Sequence, residues 1–373
     1  MKPTLLLIGL GDLGGVILEL LARDASLGRI VAADRDTERG IARCNLARIG
    51  AMAQGFEPQI DFTAIDLNDK AAVAETVNRE SPDLILSTAS MMTWWLPDLL
   101  PEPQASRIKN AGFGVWLPVH LTLTLKLMEA LREAGYRGHT LTAPFPDVVN
   151  CILGKLGLAP TCGIGNLDEI VPKVRYLAGE RLGVPPAEIR VTLVAHHALE
   201  PYVFGKNGEH PPYFLRVEHD GRDVTEEIDA DSLLFAPYEL PPGAAIHFLT
   251  GGSTLRLIRA LFSEEETYLH EPAPEGLPGG YPVTVSSDGV RLHPIDGLSH
   301  DEAVSINERS HRFDGIERIE DDGTAVFVAE RARIMEEELG FACDRLSPDE
   351  AEDRAVELIH RFRDYAKHHG VEV

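Results

Sequence analysis

The sequence predicts an α/β protein: a doubly wound parallel sheet, then an α+β domain with antiparallel hairpins and a helical C-terminal tail. Three observations predict it. Up to about residue 150, short apolar runs alternate with segments of helical spacing, the pattern of a parallel sheet covered on both faces. Beyond residue 200, Asp220-Gly221 and Asp288-Gly289 each lie between alternating runs, the commonest hairpin signal. Near the end, Ser347-Pro348-Asp349-Glu350 reads as a capping box with proline at the first helical position, opening a helix to about His369.

Taken in order, the first strand is expected at Thr4–Ile8, and after a glycine cluster a helix covers Val16–Arg23. A second strand, Arg29–Ala33, ends in Asp34-Arg35-Asp36. Then come a helix at Thr37–Gly50, a strand at Asp61–Ile65, a helix at Asp69–Arg79 and an apolar strand at Asp83–Ser87. Right-handed crossovers between these parallel strands leave few topologies besides the doubly wound one. The stretch Met91–Trp116, with Trp94, Trp95 and Trp116, interrupts the alternation and reads as a substrate lid, a packed surface loop or a subunit contact. A helix at Leu117–Gly135, a strand at His139–Ala143 and a helix at Asp147–Gly157 follow. A helix at Ile170–Leu182 holds Pro172 in its first turn, and the strand Arg190–Ala195 leads into His196-His197. Ser299-His300-Asp301-Glu302 is a capping box. We divide the chain into a doubly wound parallel-sheet domain (1–150), an α+β domain (151–330) and a helical extension (331–373).

Composition narrows the function classes. Hydrophobic residues make up 44% and charged residues 25%, enough for a large core. The 35 basic against 59 acidic residues give a formal charge of −24, which argues against nucleic-acid and anionic-membrane partners. Cys44, Cys151, Cys162 and Cys343 are scattered, with no Cys-x-x-Cys pair and no histidine cluster at zinc spacing. They read as reduced thiols of a cytoplasmic protein, and no metal site is expected. No apolar stretch approaches the ~18 residues of a membrane span.

Gly9-Leu10-Gly11-Asp12-Leu13-Gly14 fits G-x-G-x-x-G in the right context: a strand before it, a helix after it, and Asp34 20 residues beyond the third glycine. In such a Rossmann-type unit Gly9 permits the turn, Gly11 lets the pyrophosphate approach and Gly14 lets helix and strand pack closely. The helix N-terminus offers amide donors to phosphate. Asp34 would accept from the adenosine ribose hydroxyls and repel a 2′-phosphate, which favours NAD over NADP. Arg35, beside it, is the residue able to oppose that preference.

Farther along, Leu153-Gly154-Lys155-Leu156-Gly157-Leu158, Gly163-Ile164-Gly165-Asn166-Leu167-Asp168, Arg175–Val184 and Val191–Ala198 resemble the lactate and malate dehydrogenase superfamily. Thr88-Ala89 after the fourth strand and Gly280-Tyr281-Pro282-Val283 with Asp288-Gly289-Val290 are similar to it as well. The resemblance spans residues 4 to about 312 and is most specific over Asp147–Ala198. It implies that His197 exchanges a proton with the substrate oxygen and that Asp168 orients and charges that histidine. It implies that the arginine for the substrate carboxylate falls near Lys173, with Arg175 the next on that helix. It also implies that Arg107 polarises the carbonyl from a mobile loop, that Thr88 and Ala89 touch the cofactor, and that the protein is a homodimer or tetramer.

The expected function is an NAD-dependent dehydrogenase or reductase acting on a hydroxy/keto or amino/imino group of a small organic acid or similar polar molecule. Histidine suits the proton relay because its pKa lies near neutrality. His196 is the alternative to His197. Two other readings keep NAD. One is a sugar hydrolase or epimerase using transient oxidation, with Cys162 and His197 as metal ligands; the other is a non-enzymatic NAD(H)-responsive regulator.

Overall fold

The computed structural model describes residues 2–241 and 243–372. Its centre is a six-stranded sheet built from β1 (Thr4–Ile8), β2 (Arg29–Asp34), β3 (Gln59–Ala64), β4 (Leu84–Ser87), β5 (His139–Thr142) and β6 (Cys162–Gly163). The strands run parallel in the order β3-β2-β1-β4-β5-β6. Chain direction across the sheet reverses between β1 and β4, so the crevice at their C-terminal ends is where this topology accepts a ligand. The sixth strand lies past residue 150, so the sheet borrows its edge from beyond the first 150 residues.

Helices α1 (Asp12–Leu21), α2 (Thr37–Met52), α3 (Lys70–Glu80), α4 (Gln104–Lys109), α5 (Leu117–Glu133) and α6 (Pro146–Lys155) connect or follow these strands. Alternation along each strand explains the two-sided cover. Leu5 and Leu7 face one apolar cluster with Ile17, Leu18 and Leu21 of α1. Leu6 and Ile8 face the other, with Val73 and Val77 of α3 and Leu127 and Leu131 of α5.

The second half begins with α7 (Leu167–Leu182), β7 (Ile189–Val194), the one-turn α8 (Glu200–Val203), β8 (Phe214–His219), β9 (Arg222–Asp223) and α9 (Ala230–Leu234). It continues with α10 (His247–Leu261), the antiparallel sheet β10 (Thr267–Pro272), β11 (Gly280–Ser286) and β12 (Gly289–Leu292), and α11 (His300–Ser310). The chain closes with β13 (Ile316–Ile319), β14 (Ala325–Phe327), α12 (Ala329–Leu339), β15 (Arg345–Leu346) and α13 (Ala351–His368).

Several local expectations need correction. Asp220-Gly221 turns the β8–β9 hairpin with positive φ at both residues, +50° and +71°, as its sequence suggests. Val224–Ile228, however, is not its returning strand. The Asp223 carboxylate takes the Thr225 amide at 2.9 Å and ends the pairing. In the β11–β12 hairpin Ser286 pairs with Gly289, so Ser287 and Asp288 form the turn and Gly289 already belongs to β12. The capping box at Ser299 forms, but Ser347 caps nothing and a 3₁₀ turn at Pro348–Glu350 precedes α13. Helix α7 starts three residues earlier than expected, which places Pro172 inside it.

Helix α13 packs its Ala355, Leu358 and Phe362 stripe into the cluster that also holds α5. Trp116 is 6% exposed and meets Phe362 edge-on with 5.3 Å between centroids, so it is core rather than lid. Within the same stretch Trp94 stays 44% exposed.

Candidate active site

A cavity of about 870 Å³ begins at the glycine loop and ends beside His197. Gly9 has φ +91°, and a Cβ there would lie 2.8 Å from the Ala89 nitrogen. A Cβ on Gly14 would lie 1.9 Å from the Gly9 carbonyl oxygen, which also accepts from the Thr88 hydroxyl at 2.8 Å. These two glycines and the pair Thr88-Ala89 are therefore required by packing of the loop on β4. Gly11 differs. It lines the cavity, and a Cβ on it would meet nothing within 4 Å. Gly11 also starts α1 with no side-chain cap, leaving the first-turn N–H groups for an anion.

Asp34 is 5% exposed at the end of β2. Its Oδ2 accepts from the Leu10 N–H at 2.6 Å, and its Oδ1 accepts from the Asp36 N–H and an Arg39 Nη2, both at 2.9 Å. The carboxylate is thus fixed at the cavity edge, with Arg35 and Arg39 beside it. Leu10 turns its side chain into the core and contributes its N–H. Leu13 and Asp12 line the cavity, and Asp12 accepts from the Trp95 indole at 3.3 Å. A dinucleotide fits this end by shape and donor placement: open space at Gly11, uncapped helix amides and a fixed carboxylate where a ribose would lie.

At the other end, β7 delivers His197. Its backbone N–H donates to Asp147 Oδ2 at 2.8 Å, and Asn166 Nδ2 donates to both Asp147 oxygens at 2.8 and 2.7 Å. Asp147 thereby ties the starts of α6 and α7 to the end of β7. Both flanking residues are conformationally costly: Phe145 sits at φ +47° and Asn166 at φ +56°, ψ −112°. The His197 ring has Nδ1 3.3 Å from Asp314 Oδ2 and Nε2 3.7 Å from Glu200 Oε2. Burial alone would lower its pKa, but the Asp314 hydrogen bond and the charges of Asp314, Glu200 and Asp147 outweigh it and push it up to about 10. Phe113 and Phe145 flank the ring at 5.2 and 5.7 Å.

Several sequence-derived roles do not match this geometry. Asp168 does not face His197. It is 4% exposed and paired with Arg256 at 3.3 Å, and the carboxylate beside the His197 Nδ1 is instead Asp314. Lys173 does not reach the cavity. Its Nζ donates to the Val203 and Leu234 carbonyls at 2.7 and 2.9 Å, closing the C-terminal ends of α8 and α9. Arg107 pairs with Glu338 of α12 at 3.5 Å on the surface, although its neighbours Ile108 and Lys109 line the cavity. Arg175 donates to the Pro186 carbonyl instead of a ligand. His196 is fully buried, accepts from the Ala198 N–H and meets His311 at 3.0 Å, so it supports the site from behind. Cys162 is fully buried on β6 and does not join His197.

Sequence reasoning missed Asp314, Glu200, Glu169 and His120. Glu200 was legible in principle as the residue three positions after His197, one helical turn away. Glu169 is 9% exposed, accepts from the Thr250 hydroxyl at 2.7 Å, and is raised in pKa by burial and by the charge of Glu200. His120 stacks on Phe113 at 5.0 Å, and burial together with nearby His197 pulls it down to about 3.

No protein-family model and no curated protein matches the sequence. Solved structures do match the fold. Malate dehydrogenase of Cryptosporidium parvum superposes with a TM-score of 0.59 at 14% identity, over 84% of this chain and 97% of that one. Lactate dehydrogenase of Eimeria maxima with NADH and oxamate gives 0.57 at 13% identity, over 84% and 92%. The minor L-lactate dehydrogenase of Enterococcus mundtii gives 0.55 at 16% identity, over 84% and 95%. The chain therefore has the fold of malate and lactate dehydrogenases.

Proposed function

We propose that the protein is an NAD(H)-dependent oxidoreductase acting on a hydroxy/keto or amino/imino carbon, with His197 as the proton relay. One observation carries the reading: a single cavity runs from Gly11 and Asp34 to His197. When bound, the nicotinamide supplies two-electron redox chemistry. The chain's own part is binding, orientation and the proton. The α1 amides and Gly11 receive the pyrophosphate, and Asp34 receives the adenosine ribose. Residues 1–150 supply this end together with Asp147, 151–330 supply His197, Glu200 and Asp314, and 331–372 pack on α5.

Asp314 holds the Nδ1 proton of His197 and so keeps Nε2 toward the reacting group. A protonated ring at neutral pH suits the reductive direction, in which Nε2–H gives its proton to the forming alcohol or amine. Phe113 and Phe145 flank the ring that carries that proton. The test is His197→Gln. We expect NADH affinity and melting temperature near wild type and turnover down by about 10²–10⁴-fold, the usual contribution of a positioned acid–base group. Full turnover in the folded variant overturns the assignment. Fluorescence titration with NADH and NADPH tests the cofactor: preference for NADH supports Asp34 as selector, and equal or tighter NADPH binding assigns the pocket to Arg35 and Arg39.

A further inference from the structure

We propose that the molecule acted on carries a protonated amine, received in the inner chamber by Glu169 and Glu200. The inference rests on the function proposed above and names the substrate class of the same site. Four carboxylates line that end of the cavity: Asp147, Glu169, Glu200 and Asp314. Two are already engaged, Asp147 by Asn166 and the His197 N–H, and Asp314 by the His197 ring. Glu169 uses Oε1 for the Thr250 hydroxyl, and among the described hydrogen bonds its Oε2 has no partner. Among the described residues, the one charged group that Glu200 pairs with is His197, at 3.7 Å.

Among the described residues, no lysine or arginine lies within ion-pair distance of these four carboxylates, and the cavity's other cations sit elsewhere. Lys109 lies 2.8 Å from Asp98, and Arg39 lies 2.9 Å from Asp34. Lys206 sits over the Tyr202 ring at 4.6 Å, while Arg35 lies at the glycine-loop end. Four carboxylates therefore share one imidazolium. An unfilled acceptor lies in the same wall: Asn166 is 6% exposed, lines the cavity, and its buried Oδ1 has no partner among the described residues. Its amide orientation is fixed, because Nδ2 already donates to both Asp147 oxygens.

Chemistry then selects between ligand classes. A carboxylate entering here would find no guanidinium fork and no free cation beyond the His197 ring, so its burial would go uncompensated. An ammonium group brings the missing charge and three donors for Glu169 and Glu200. Burial raises both glutamates, so each resists ionising until a cation arrives. Such a cation would also draw on the carboxylates that hold the His197 proton, making that proton easier to give up.

Calorimetric titration of the full-length protein, with and without saturating NADH, tests this with n-butylammonium, 1,4-diaminobutane and butyrate as probes. We expect both amines to bind at least ~10-fold more tightly than butyrate, and the Glu169→Gln/Glu200→Gln variant to lose ~10-fold or more of that affinity, the scale of one charge-assisted hydrogen bond. Binding of butyrate equal to or tighter than that of the amines overturns the inference, as does absence of amine binding. Amine affinity unchanged in the double variant also overturns it, because it assigns the binding to the acidic surface. Should the double variant not fold, Glu200→Gln alone, at a side chain 20% exposed, carries the same comparison. NADH affinity is read separately by fluorescence. Amine selectivity without NADH binding refutes the cofactor reading alone, and NADH binding with butyrate preferred refutes the amine alone.

Discussion

His197 Nδ1 lies 3.3 Å from Asp314 Oδ2, a contact spanning 117 residues. Together with Glu200 and Asp147 it holds the ring protonated, up to about 10. Asp314→Asn keeps the shape and removes the charge, so the pKa of His197 should fall toward its ordinary 6.5. The pH profile of carbonyl or imine reduction should move to lower pH in the variant, with turnover at pH 8 reduced by about 10-fold. An unmoved profile would deny Asp314 this role.

The same pair makes a stability forecast. The folded pKa of His197 lies above its unfolded value, so its contribution is fully present below about 6.5 and is lost as pH rises through about 10. The melting-temperature deficit of Asp314→Asn relative to wild type should therefore be largest near pH 6 and shrink toward pH 10. A deficit independent of pH over that range would mean that the contact is packing alone.

Two glycines of the loop should respond differently to one methyl group. Gly14→Ala puts a Cβ 1.9 Å from the Gly9 carbonyl oxygen, so the loop must shift, and both melting temperature and NADH affinity should drop. Gly11→Ala meets no protein atom within 4 Å and keeps an ordinary φ of −69°. It should fold as well as wild type while NADH binding weakens by about 10-fold, as expected where a side chain fills the space for the pyrophosphate. Unchanged NADH affinity in Gly11→Ala would remove the glycine loop from the binding site.

These contrasts show which parts of the site a sequence can disclose. The placing of the Gly9–Gly14 loop and Asp34 side by side was legible because it is local: strand, turn and helix are consecutive, and β2 lies beside β1. The partner of His197 was not. Asp168 and Asp314 are both buried carboxylates, and only the packing of the turn after α11 against the end of β7 decides which one the ring meets. Lys173 misled for a related reason. A cation on a helix predicts a ligand or solvent, whereas here α8 and α9 bring their last carbonyls to it. The fold class was easier, since alternating apolar strands and helices specify a covered parallel sheet whatever the site does.

Lys173 should accordingly be a stability residue. Lys173→Met keeps the length of the chain but leaves two buried carbonyls without a donor, costing about 2–3 kcal/mol. The folded fraction should retain its substrate KM and pH profile. A raised KM at unchanged melting temperature would return Lys173 to the ligand.

Trp116 and Trp94, 22 positions apart on either side of α4, should separate core from cavity. Trp116 is 6% exposed and packed edge-on against Phe362 of α13, so Trp116→Ala opens a void under the tail helix and should cost about 3–5 kcal/mol. Trp94 is 44% exposed, lines the cavity and donates its indole N–H to His247 at 3.4 Å. Its truncation removes little buried area, so the melting temperature should stay near wild type. Substrate KM should rise instead, because the side chain covers the cavity between the glycine loop and α10. Proteolysis supplies the second readout. Trp116→Ala should loosen α13 and speed cleavage within 340–372, whereas Trp94→Ala should speed cleavage within 91–103 and leave the tail protected. If Trp94→Ala destabilises the fold as much as Trp116→Ala does, the whole stretch is core and the cavity has no aromatic cover.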